Sequence, residues 1–107
     1  MTAASPGLRE LIAVAEAELE AALGGASLCS VSRSPHRGAM DVKEREGRWY
    51  TLQDIQRRLD EGIAPGDAIT SVLEQVTTRT PAGEAWITYR IGALGAVEDA
   101  RDALGLG

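Results

Sequence analysis

Few side chains in this sequence are able to do covalent chemistry, and their spacing narrows the choice quickly. Cys29 is the only cysteine and His36 the only histidine. A thiol becomes a catalytic nucleophile when a base lies within hydrogen-bond reach and a third group orients that base. Cys29, His36 and Asp41 supply the three types, and a turn between them permits the geometry. The spacing fits no catalytic motif, and Arg33 follows Cys29 too closely for a cysteine-phosphatase loop. A small buried cysteine on a strand is the ordinary reading. One cysteine excludes an internal disulfide framework and a cysteine-rich zinc site, and one histidine excludes a histidine-based metal cluster within the chain. Glu16 with Glu20, and Glu98-Asp99 with Asp102, are carboxylate groupings. A di-metal site on helices normally adds histidines, which are missing here. Asp60, Glu61 and Asp67 do not follow the calcium-loop pattern. The expectation is a protein without catalytic residues, metal or cofactor.

Charge is the next source of chemistry. The 107 residues carry a formal charge of −5, unevenly spread. Residues 1–32 sum to −3, residues 33–58 to +3 and residues 59–107 to −5. Arg33, His36, Arg37, Lys43, Arg45, Arg48, Arg57 and Arg58 therefore form a candidate anion or nucleic-acid contact. Such binding would weaken steeply with salt. Against it, nucleic-acid-binding domains usually have a basic total and a clustered basic face. The competing reading lays a basic arm across the acidic helices of its own chain. Residues 49–59 have the flavour of the first helix of a helix-turn-helix, but the helix after them, around residues 68–75, has no basic residue. A recognition helix needs side chains that read bases and hold phosphates.

The elements that must position these groups are mostly helices. Ser5-Pro6 suits a helix start, and Leu8, Ile12, Ala15, Leu19 and Ala22 recur at helical spacing, so a helix is expected over about 5–23. Residues 26–48 alternate in short stretches between turn signals, which points to a short β-hairpin or an arm. Thr51 with Asp54 resembles a capping box, so a second helix is expected over about 51–61, ended by Gly62. Pro65 and Asp67 open a third over about 65–77, and Thr80-Pro81 opens a fourth over about 81–104, with Gly105 and Gly107 fraying its end.

Aromatic residues are scarce, with Trp49, Tyr50, Trp86 and Tyr89 in two local pairs. Each pair is expected to anchor a helix start to the core. The last helix is apolar on more than one face, and Gly92, Ala93, Gly95 and Ala96 interrupt its bulk. Mid-helix glycines are costly, by about 1 kcal/mol each against alanine. Their return is a close backbone approach, either by the first helix or by a second copy of the chain.

The composition excludes a membrane-spanning protein, since no apolar run reaches the ~18 residues such a helix needs. The N-terminus lacks the pattern of a signal peptide, which makes the cytoplasm the expected location. The order helix, small hairpin, helix over residues 7–60 loosely resembles small phage head-completion proteins of the gpW type. That resemblance implies a structural or assembly role, by topology alone.

The fold expected is mainly α: one domain over residues 1–107, with four helices and a short hairpin or arm between the first two. The function expected is a small acidic, non-enzymatic protein-interaction or regulatory module that self-associates or docks on a partner protein. Its candidate contact residues are Trp86, Ile87, Tyr89, Arg90, Ile91 and Leu94. Aromatic and arginine anchors carry interface energy more often than other types. Nucleic-acid binding through residues 33–58 and the phage-type assembly role are the alternatives.

Overall fold

A computed structural model describes residues 7–23, 37–79 and 83–106. They form four helices: α1, Leu8–Leu23; α2, Arg37–Asp60; α3, Pro65–Arg79; and α4, Glu84–Ala103. No strand occurs among the described residues. α2 and α4 make the most extensive contact, with α1 packed mainly on α2 and α3 touching both central helices. The core gathers Leu8 and Ala15 of α1, Leu52 and Ile55 of α2, Ile69, Val72 and Val76 of α3, and Ala93, Ala96, Val97 and Ala100 of α4.

The largest departure from the sequence reading is in α2. The expected hairpin covered residues 26–48; residues 37–48 are helical, and residues 26–36 lie outside the described ones. The layout that resembled the phage proteins therefore lacks its second strand. The alternation of Met40 and Val42 with Asp41 and Lys43 is a fragment of helical periodicity, with Val42 buried. Thr51 is not a cap; it is a buried residue in the middle of α2. Trp49 and Tyr50 likewise sit in mid-helix rather than at a helix start.

Gly47 belongs to the interior of α2 for a packing reason. A Cβ there would lie 2.9 Å from the Tyr89 carbonyl carbon and 3.2 Å from the Tyr89 Cα of α4. Gly92 reciprocates, since its Cβ would lie 2.8 Å from the Glu44 carbonyl carbon and 3.2 Å from the Arg48 nitrogen of α2. The close approach expected for the small residues of α4 is thus made to α2, rather than to α1. In each case the hydrogen that replaces Cβ is directed at a carbonyl oxygen, the arrangement of a Cα–H···O contact.

The helix ends follow local chemistry. Gly62 takes φ 90°, with Gly62 N–H donating to the Leu59 carbonyl and Ile63 N–H to the Arg58 carbonyl, both at 3.0 Å. Gly105 takes φ 73° and repeats the pattern, with Leu106 N–H donating to the Arg101 carbonyl at 2.8 Å. Both are Schellman closures, so Gly105 caps α4 where fraying was expected. α3 runs past its expected end because Thr77 and Thr78 donate their hydroxyls to the Leu73 and Glu74 carbonyls, at 3.1 and 2.6 Å. Back-bonding of this kind accommodates polar β-branched residues within a helix.

The crossing makes three glycines distinguishable. Gly47→Ala and Gly92→Ala are each expected to cost about 2 kcal/mol or more, because the obstructing atoms are backbone. Gly95→Ala, which meets nothing within 4 Å, is expected to stabilise by up to about 1 kcal/mol. Urea denaturation of dilute protein checks all three; equal effects would refute a tight α2–α4 crossing.

Candidate functional site

The six residues singled out on the last helix divide into two groups. Ile87, Ile91 and Leu94 are 56%, 56% and 36% exposed. They stand at i, i+4 and i+7, so they form one stripe along α4. Trp86, Tyr89 and Arg90 are only partly exposed. The Trp86 ring lies 5.3 Å from that of Tyr89, and Lys43 of α2 places its ammonium 4.5 Å over Trp86. Lys43 thus makes a cation–π contact with Trp86. These aromatics tie α4 to α2, and only the aliphatic stripe combines bulk with exposure.

The stripe borders a groove of about 240 Å³ lined by Glu18, Glu44, Arg45, Arg48, Ile91, Gly92 and Gly95. Its floor is the glycine crossing and its walls are charged. Sequence reasoning named the aliphatic residues but did not separate them from the aromatics. The signal was present in the register: Gly92, Ala93, Ala96, Val97 and Ala100 are buried and mark the opposite side of α4.

The basic segment is engaged with its own chain. Arg45 donates to Asp41 at 3.0 Å and to Glu18 of α1 at 2.5 Å. The hydrogen bond to Asp41, followed by the charges of Asp41 and Glu18, outweighs partial desolvation and raises the Arg45 pKa. Arg48 pairs with Asp99 of α4 at 2.7 Å, and Lys43 with Glu46 at 3.3 Å. Arg57 and Arg58 share Asp54, and Arg58 also donates to Ser71 Oγ of α3 at 2.7 Å. Each of these five cations is thus paired with a carboxylate of its own chain. Arg33 and His36 lie outside the described residues, as do Cys29 and the side chain of Arg37.

A second groove, of about 590 Å³, is lined by Ile12, Tyr50, Gln53, Asp54, Gln56, Arg57 and Asp60. Asp54 is already held by two arginines, and Gln56 donates to Asp60 at 2.9 Å. Among the described residues, no group of three histidine, cysteine or acidic side chains is placed to hold a metal ion. Nor is any described helix long and apolar enough to cross a membrane.

Burial pushes the Tyr89 phenol above its ordinary pKa, and the Glu46 carboxylate adds to the rise. The neutral phenol is therefore the form the fold favours. Its contribution is full below the ordinary phenol pKa of about 10 and is lost as pH rises through the higher folded-state value. Denaturation midpoints measured from neutral to alkaline pH are expected to show that loss, and Tyr89→Phe to reduce it. Parallel curves for the two proteins would refute the assignment.

No family model, curated protein or solved structure matches this chain.

Proposed function

We propose that the protein is a small acidic, non-enzymatic cytoplasmic interaction module whose contact surface is the outer face of α4. The observation that carries this reading is the exposure of Ile87, Ile91 and Leu94 in one helical stripe. Scattered exposed aliphatics are ordinary on a protein surface, whereas a contiguous row with polar rims is a feature of interaction sites. The rim here is formed by Glu44, Arg45 and Arg48 on one side, with Glu98 and Arg101 further along α4. The stripe offers apolar area and the rim offers register.

The intramolecular ion pairs favour this reading over nucleic-acid binding. Each phosphate contact made by Arg45, Arg48, Arg57 or Arg58 would first have to displace a carboxylate.

The double variant Ile87→Lys with Ile91→Lys tests the contact surface. Its melting temperature is expected to stay within a few degrees of the parent, because the side chains are largely solvated. Its association, read as mass by light scattering on a sizing column at low and high salt, is expected to disappear. A fall in stability like that of a core variant, about 2–5 kcal/mol, would place these residues in the protein's own core and overturn the reading.

A further inference from the structure

We infer that the occupant of the α4 face is the same face of a second copy, crossing antiparallel about a two-fold axis between Ile91 and Leu94. This rests on the interaction reading above and names its partner. Residues 84, 87, 91, 94, 98 and 101 are all exposed and follow the alternating three- and four-residue spacing of a coiled-coil seam. In sequence they are Glu84, Ile87, Ile91, Leu94, Glu98 and Arg101, so an acid precedes the apolar centre and an acid and then a base follow it.

That order is self-complementary in one direction only. An antiparallel pair sets Ile91 against Leu94 of the second copy, Leu94 against its Ile91, and Glu84 against its Arg101 at both ends. Ile87 then lies beside Glu98 of the second copy, whose apolar stem covers it while the carboxylate reaches water. A parallel pair would set Glu84, Glu98 and Arg101 each against itself. A two-fold interface repeats each contact, so the antiparallel arrangement gains two ion pairs and the parallel one suffers three repulsions. Glu84 and Arg101 have no ion-pair partner among the described residues, in contrast to Lys43, Arg45, Arg48, Arg57 and Arg58.

Gly95 fits the same seam. It lies in the interior of α4, is exposed, and has nothing within 4 Å of where its Cβ would be. Gly47 and Gly92 have an intramolecular reason for lacking a side chain; Gly95 has none among the described residues. Its bare backbone beside Ile91 and Leu94 lets a facing helix approach. A helix stripe of three aliphatics covers less than the ~800 Å² per partner of a standard interface, so the dimer dissociates readily on dilution.

Sedimentation equilibrium of the full chain, from low-micromolar to near-millimolar concentration, provides the test. The proteins compared are the parent, Glu84→Arg, Arg101→Glu and the double exchange. A concentration-dependent dimer is expected for the parent. Each single exchange places like charges at both ends and is expected to weaken the dimer by at least about 10-fold. The double exchange is expected to recover most of that loss. Both positions are exposed, and unchanged melting temperatures at low concentration confirm that the variants fold. A dimer indifferent to the single exchanges overturns the antiparallel register while leaving self-association intact. A monomer at every concentration overturns the second-copy occupant. The broader interaction reading is then judged separately, by whether the lysine variant keeps its stability.

Discussion

The fold depends on one steric constraint: α2 and α4 cross so closely that neither admits a Cβ at the contact. Gly47 faces the Tyr89 backbone and Gly92 faces the Glu44 backbone. Two glycines in helix interiors sacrifice roughly 2 kcal/mol of intrinsic helix stability. The compensation is backbone-to-backbone dispersion and paired Cα–H···O contacts, reached only at this distance. Everything else is arranged around that crossing. Leu52 and Ile55 fill the volume on one side of it and Val42 the other, all fully or almost fully buried. With no phenylalanine and few aromatics, the chain lacks bulky residues to bridge a wide interhelical gap, so the backbones come together instead.

The polar contacts act laterally on this frame. Arg45 reaches α1 through Glu18, Arg48 reaches α4 through Asp99, and Arg58 reaches α3 through Ser71. α2 therefore touches each of the other helices through an arginine as well as through its apolar residues. This accounts for the uneven charge of the sequence: a basic central helix lies among acidic neighbours. Partly exposed pairs contribute modestly, commonly up to about 1 kcal/mol each. Their larger effect is on orientation, since each fixes a helix rotation that the small, smooth Ala and Gly surfaces leave poorly determined.

Three of the helices were legible in the sequence because their signals are local. The apolar stripe of α1, Pro65 at the start of α3 and the glycine that ends α4, Gly105, are each decided within a few residues. The first part of α2 was not legible, because its helical reason is tertiary. Gly47 breaks the pattern in sequence and completes it in space, where the α4 backbone occupies the place of a side chain. The polar positions between Val42 and Trp49 hid the period further, since they are satisfied by ion pairs rather than by burial. The candidate contact residues were named as a cluster because sequence shows that Trp86 through Leu94 are apolar. It does not show which of them turn inward. Only the position of α2 decides that Trp86 and Tyr89 lie beside Lys43 and Glu46 while Ile87 and Ile91 face away.

The same crossing connects architecture to interaction. Because α2 comes so near, the inner side of α4 accepts only glycine, alanine and one valine along its buried length. Bulky aliphatics are excluded from that side by contact, so any that α4 carries must stand outside. Among the described residues, nothing packs over them to require them there. Lysine, glutamate or glutamine would give a helix at least as favourable and a more soluble surface. Ile87, Ile91 and Leu94 thus contribute little to the described core, and they align with Glu84 and Arg101, which have no ion-pair partner among the described residues. A helix that is small on the inside and large on the outside fits α2 of its own chain closely, and its outer bulk is the apolar surface that the proposed interaction would use.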